Sequence, residues 1–441
     1  MNQTLKRIIA TLSGKQWLLT VLASIYILLK TFDIFRQKLI RRSIKFISYG
    51  NVFKTADRSK VLLVDCFHQK FSSLTHHKGS KTPPELCGDS STDLMFSAMK
   101  VDHPILKNKQ LVSVNHFDID GYLSVMALTH SNIALANESL WRMAARIGDF
   151  REFDYEKWKA ESRVSNSKRG IGVIDNALKV CCVLNTLEKT EFQRAYENGS
   201  DAVLKWPYFI NHSGLLKLLQ GDDKDTFEIW REEYELVLKH CRTLHCRESA
   251  KIMRFNDIGL ALIECPDPLH YYALFSCVDK CDIVVTLYDG NRYEIEQRYS
   301  TYVEMSSRPV LPRVSMQKLA EFLNHLEQVS GSPNVKRLSW ISDFIDSPGP
   351  LLRIEDKEML LSKAEKYGHP FERPIHKSAI PPSVFTLAVT SYFRFALSKT
   401  NKPEKRKTWN WKDIQNFNDK IDWSEFHPVN TNSRKKQLEL D

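Results

Sequence analysis

Beyond residue 60 the chain has no net charge. It has 441 residues and carries +10. Residues 1–60 hold twelve Lys or Arg against Asp33 and Asp57 alone, which accounts for the whole excess. The rest lacks the basic surplus of a large nucleic-acid footprint, so long nucleic acids are disfavoured as partners. Three signatures are also missing: a P-loop, a G-x-S-x-G elbow and a G-x-G-x-x-G turn. The NTPase, α/β-hydrolase and dinucleotide-binding classes lose their usual signals. The nine cysteines are odd in number and have no framework spacing. That excludes a disulfide scaffold and fits free thiols in a reducing compartment. Sequons at Asn2, Asn137, Asn198 and Asn211 are irrelevant there.

The apolar run Trp17–Leu29 stops at 13 residues, short of the ~20 that a spanning helix needs. It suits a signal anchor or an interfacial helix. Basic residues are denser after it than before it, which places the bulk of the chain in the cytosol. The expectation is a membrane-associated protein. The alternative is a mitochondrial presequence, since residues 1–32 hold no acid.

The chain is 42% hydrophobic, enough for a sizeable core, and it divides by pattern. Residues 1–46 are the apolar and basic segment. Residues 60–135 read as an α/β sheet domain, because Lys60–Asp65 and Val112–His116 are buried-strand runs and helices follow each. Residues 136–255 carry apolar residues at helical spacing. Residues 256–330 read as α+β, with Asp289-Gly290-Asn291 joining two strands in a hairpin. Residues 331–398 read as a Pro-rich, aromatic extension with one helix near 384–397, and 399–441 as a polar tail. The expected fold is α/β: a parallel-sheet domain with a helical insertion and a smaller α+β domain, preceded by an N-terminal hydrophobic helix.

The densest chemistry lies in Val112-Ser-Val-Asn-His116-Phe-Asp118-Ile-Asp120-Gly121. In an extended segment residues 116, 118 and 120 share one face. Gly121 is expected to turn the chain into a helix over 122–128. An imidazole and two carboxylates at a strand's carboxyl end suit a hard cation, Mn2+ or Mg2+, and ligands of open α/β sheets bind at that edge. Asp65 ends the other strand. His76 and His77 lie on the loop leaving it. Asp89 and Asp149 are further candidate ligands. The plain alternative is that Asp118 caps the helix.

This segment resembles the first motif of the DHH phosphoesterase superfamily, in which a D-x-D-G turn after a strand binds divalent metal. Asp65 is similar to that family's lone strand-end Asp. Leu74-Thr75-His76-His77 resembles its Asp-His-His triplet, with Thr75 where the family has Asp. Asp89-Ser90-Ser91-Thr92 is similar to the small-residue turn that follows. The motif order is changed and the family's Gly-Gly-His signature is absent. The match covers about 15 residues around the first motif. Residues 258–304 resemble the companion domain, with Ser306-Ser307-Arg308 and Arg313 after it. The Thr-His-His and His-Phe-Asp-x-Asp-Gly elements also resemble those of an uncharacterised bacterial and eukaryotic domain family to which no activity attaches.

The resemblance implies a metal-dependent hydrolase acting on a small phosphorylated or nucleotide substrate. Asp65, His77, His116, Asp118 and Asp120 would bind metal, with Asp89 and Asp149 as weaker ligands. His76, His77 and Asp118 would serve catalysis. Ser91, Thr92, Arg308 and Arg313 would bind the substrate anion. Two cations about 3.5–4 Å apart would polarise a phosphoryl group. The rival expectation is a catalytically inactive, membrane-tethered binding or scaffold module. Two lesser signals are Cys241 and His245, placed for zinc at i,i+4, and the aromatic stretch with Trp340, Trp409, Trp411 and Trp423, which reads as packing.

Overall fold

In the computed structural model, residues 44–165, 172–192, 209–246, 248–278, 280–331, 337–398 and 408–426 are described. The apolar run 17–29 lies outside them. No helix among the described residues is long and apolar enough to cross a membrane.

The first sheet is parallel. It contains β1 (Lys45–Phe46), β2 (Val61–Val64), β3 (Ser72–Leu74) and β4 (Leu111–Ser113), in the order β1-β4-β2-β3. Every residue of the Val-Leu-Leu-Val strand β2 is buried, as expected where helices cover both faces of a parallel sheet. Leu62 pairs with Val112, so β2 and β4 are neighbours. The two strand ends that carry the candidate ligands therefore lie side by side.

Helix α1 (Ser91–Lys100) enters the site between β3 and β4. Ser90 and Asp93 form a capping box at its start, which satisfies two of its orphan groups. Helix α2 (Ile119–Thr129) follows β4, with Asp118 as its N-cap. Helix α3 (Glu138–Phe150) packs on α2 at close range. A Cβ placed on Gly148 would stand 2.5 Å from Ile119 Cβ, so only glycine admits this approach. Helices α4 (Val173–Phe192) and α5 (Phe227–Leu244) extend the helical layer.

The second sheet has six strands in the order β5-β6-β7-β8-β10-β9. These are β5 (Lys251–Phe255), β6 (Leu260–Cys265), β7 (Ile283–Tyr288), β8 (Arg292–Gln297), β9 (Leu338–Ser342) and β10 (Leu351–Asp356). The sheet is mixed: β6 and β7 are parallel and the other pairs antiparallel. The Asp-Gly-Asn hairpin forms as expected, with Gly290 and Asn291 at positive φ. Helices α6 (Gln317–Val329) and α7 (Pro382–Ala396) cover one face, and their core includes Leu323, Trp340, Phe385 and Tyr392. The protein is thus mixed α/β, built on one parallel and one mixed sheet.

One expectation is corrected here. Residues 331–398 are no appended extension, since β10 pairs with β8 and joins the sheet core. Between β6 and β7 the chain makes a single helical turn at Tyr271–Leu274. Strand β8 stops at Gln297 and gives way to a turn at Tyr299–Thr301.

Candidate metal centre

The site is assembled where β2 and β4 end and α1 and α2 begin, the edge at which open α/β sheets bind ligands. Residues 116, 118 and 120 do not share a strand face. β4 ends at Ser113, Asp118 is the N-cap of α2, and Asp120 lies in the first turn of that helix. The Asp118 side chain caps α2 by accepting from Gly121 N–H at 2.7 Å, because a helix start leaves donors that a short side chain can reach. The plain alternative thus holds for one oxygen of Asp118. The other lies 2.9 Å from His116 Nε2.

Gly121 has no left-handed φ and serves a different purpose. A Cβ there would stand 3.0 Å from Asp118 Oδ1 and 3.2 Å from Asp65 Oδ2. Glycine lets the two carboxylates approach the backbone. Asp65 itself has φ 51, a left-handed conformation that costs a non-glycine residue ~1–3 kcal/mol and clusters at functional sites.

The carboxylates and imidazoles form three overlapping sets. They are Asp65, His76 and His77; Asp65, His116 and Asp118; and His76, Asp120 and Asp149. His76 is the hub. Its Nε2 lies 3.5 Å from Asp65, 3.7 Å from Asp149 and 3.8 Å from Asp120. Its Nδ1 bonds to the Asp89 carbonyl at 2.5 Å. A carbonyl only accepts, so Nδ1 donates to it and Nε2 is the nitrogen turned toward the carboxylates, where a cation would displace its proton. That outer hydrogen bond is the usual means of orienting a metal-bound histidine. Among the described residues, His76 Nε2 and Asp149 Oδ2 are buried and have no hydrogen-bond partner. Separations of 3.5–3.8 Å are too long for hydrogen bonds. They are near the roughly 3–3.5 Å between two ligands of one cation with bonds of about 2.1 Å.

Electrostatics agree. Burial pushes the Asp149 carboxyl well up, and Asp120 and Asp65 push it further. Burial, with the Asp65 charge, raises Asp120 to about 7. Burial pulls His76 down, but Asp149, Asp65 and Asp120 outweigh it and hold the imidazole up at about 10. Asp65 is driven upward by burial, yet His116 and His76 beside it hold it well below the usual carboxylate range. His77 is pulled down to about 4 by burial and stays neutral near pH 7. Carboxylates crowded in this way are balanced either by the raised imidazoles of His76 and His116 or by a bound cation that displaces their protons. The donor set of imidazoles and carboxylates fits a divalent ion.

Other expected residues take different places. Asp120 accepts from Ser91 N–H at 2.7 Å and Thr92 N–H at 2.9 Å, and so doubles as a clamp on the α1 start. Ser91 Oγ donates to Asp65 at 2.7 Å. Ser91 and Thr92 thus orient carboxylates, and as buried residues they do not contact substrate. Asp89 Oδ1 accepts three bonds from Ser306 and Ser307 and anchors that loop. Arg308 pairs with Asp282 at 2.8 Å. Arg313 is fully buried on the carbonyls of Ile345, Ser347 and Pro348. Neither arginine is placed to take a substrate anion. Cys241 and His245 join no three-ligand set among the described residues.

A cleft of about 910 Å³ opens beside the cluster, lined by Asp65, His77, His116, Asp118 and Asp149 on one side and by residues such as Tyr299 on the other. Tyr299 O–H lies 3.2 Å from His77 Nε2. The sequence offered no signal for this tyrosine, because it comes from the second sheet's far end.

Residues 42–404 match a family of unknown function, DUF6687. The chain belongs to the DUF6687 family. The match holds both sheets and every residue of the metal centre, and it leaves the apolar run 17–29 outside. No curated protein matches the chain, and no solved structure does.

A second set in this DUF6687 protein, Glu233, His270 and His369, also groups three ligand types. Its hydrogen bonds argue differently. His270 Nδ1 accepts from Tyr272 N–H at 3.1 Å, so Nε2 carries the hydrogen and donates to Glu233 at 3.0 Å. That nitrogen has no lone pair for a metal, and Asn185 also donates to the same carboxylate oxygen at 2.7 Å. His270 and Glu233 are thus satisfied by hydrogen bonds, whereas His369 Nδ1 is buried with no hydrogen-bond partner among the described residues.

Proposed function

We propose that this protein is a divalent-metal-dependent phosphoesterase acting on a small phosphorylated substrate. The observation that carries the reading is the pair of His76 Nε2 and Asp149 Oδ2, buried 3.7 Å apart with no hydrogen-bond partner among the described residues, where Asp149 lines an open cleft. Asp65, His76, Asp120 and Asp149 would hold a buried ion. Asp65, His116 and Asp118 would hold one nearer the cleft. A divalent cation there supplies a Lewis acid for a phosphoryl oxygen and an acidified water. His77 is neutral and close to Asp65, which suits a ligand better than an acid. The mixed imidazole and carboxylate donors favour Mn2+ over Mg2+. The resemblance to the DHH phosphoesterases supports the same reaction class by analogy.

The test is Mn-dependent hydrolysis by the full chain on a panel of phosphodiesters and small phosphoanhydrides, with Asp118→Asn as control. Asn caps a helix as well as Asp does, so α2 stays capped. Turnover in the parent, lost by more than about 100-fold in this variant, is the expected result. A folded parent that retains no metal and turns over nothing would overturn the reading.

The basic and apolar residues 1–46 attach the protein to a membrane surface, with the bulk of the chain cytosolic. The full chain is expected to sediment with membranes and a chain starting at residue 42 to stay in the supernatant. Equal partitioning of the two would refute the attachment.

A further inference from the structure

Beyond the metal centre, the cleft lacks an obvious partner for the anionic group of a substrate. It is lined by four cations: Lys78, Arg151, Arg298 and Lys366. Lys78 is buried and gives its ammonium to the Val303 carbonyl at 2.9 Å. Arg298 is 2% exposed and bonds to three carbonyls and to Glu152. Lys366 pairs with Asp343 at 3.3 Å.

Arg151 differs from these. Its side chain is 22% exposed. Of its five N–H donors, one reaches Glu296 Oε1 at 3.1 Å and one the Tyr367 carbonyl at 3.3 Å, both long for charged bonds. The guanidinium lies over the Tyr271 ring at 4.6 Å, which fixes its plane. Arg151 also sits two residues after Asp149, at the end of α3, with φ 58. Helices commonly end in this left-handed conformation with glycine, which adopts it without strain. An arginine held there at ~1–3 kcal/mol has a use for its side chain.

We propose that Arg151 is the oxyanion-binding residue of the cleft, taking the non-bridging oxygens of a substrate phosphoryl group through donors now loosely held by Glu296 and the Tyr367 carbonyl. The planar fork matches a phosphate bidentately, which a lysine does not. Tyr271 keeps the fork in place while it changes partner. The proposal rests on the phosphoesterase reading.

The experiment is calorimetric titration of inorganic phosphate into the Mn-loaded full chain, with Mn affinity measured separately by electron paramagnetic resonance. Arg151→Gly is the informative variant, because glycine relieves the left-handed strain. It should melt no lower than the parent, bind Mn unchanged and lose about 10- to 100-fold in phosphate affinity, as the removal of charge-assisted bonds implies. Arg151→Lys should recover only part of that loss. Glu296→Gln should tighten phosphate severalfold by releasing the fork, a gain that a merely structural Arg151 would not give. Parent-like phosphate affinity in Arg151→Gly would overturn the proposal. So would a parent that binds Mn and no phosphate. A parent that binds no Mn would instead sink the metal-centre reading beneath it.

Discussion

Replacing Asp149 with Asn should make the metal-free protein more stable and its metal centre useless. The two effects have one cause. Asp149 Oδ2 is buried with no hydrogen-bond partner among the described residues. Burial and the neighbouring Asp120 and Asp65 carboxylates push its pKa well up, against the pull of His76. An amide is neutral at every pH and offers N–H donors to the same carboxylates. Relief of one unsatisfied buried group is worth about 1–3 kcal/mol, so thermal melting in chelator should rise by a few degrees. The cation loses a ligand, and Mn affinity should fall by more than the 10- to 100-fold that an outer-sphere partner alone costs. Such opposite signs mark a residue kept for function at the expense of stability. A variant that melts lower than the parent in chelator and binds Mn equally well would make Asp149 a structural residue. Parallel melts with and without Mn, and isothermal titration of the ion, read both effects.

The candidate ligand cluster was legible in the sequence where burial forces chemistry to the end of a strand. Val61–Val64 and the run from Leu111 are too apolar to be anything but inner strands. The acids that follow them must then sit at the sheet edge, and the parallel pairing of Leu62 with Val112 puts them together. What the sequence hid is how each side chain reaches the site. Period-two alternation would align residues 116, 118 and 120, but the chain leaves the sheet at Ser113, and Asp120 arrives from a helical turn instead. Asp149 read as a weak candidate because it ends a helix some thirty residues on, and α3 is brought to the site by packing on α2, closest at the Gly148–Ile119 contact. Ser306 to Arg313 looked like an anion site by resemblance to the companion domain of the DHH phosphoesterases. The carboxylates of Asp89 and Asp282 take up its donors, and long-range pairing of that kind leaves no local pattern. Strands β9 and β10 were missed because Pro348, Gly349 and Pro350 lie between them, where a turn and an irregular extension look alike.

Affinity for Mn2+ should climb steeply with pH, because the ion competes with protons for the same atoms. His76 is held up at about 10 against an ordinary value of 6.5, and Asp120 at about 7 against 3.8. Each proton displaced on binding gives about tenfold in affinity per pH unit. Between pH 7 and 10 the proton leaving His76 alone should supply that slope, and below pH 7 Asp120 adds to it. Stability of the metal-free protein should run the other way. A folded His76 with a raised pKa contributes stability in full below 6.5 and loses it as pH rises through 10. Asp120, also raised, favours the folded state on the acid side and loses that contribution between 3.8 and 7. Asp65, held low, opposes this only in acid, since its contribution is present above 3.8 and lost as pH falls through its depressed value. His77, pulled down to about 4, works the other way below 6.5, so in chelator the melting temperature should decline from about pH 7 to about pH 9, and saturating Mn2+ should offset more of the decline at each higher pH. Melts at about pH 5, 7 and 9, with chelator and with Mn2+, decide the matter. A gap that widens with pH puts the cation on His76 and its carboxylates. A gap that is flat or absent means that the buried cluster balances its own charge through an imidazolium and holds no ion.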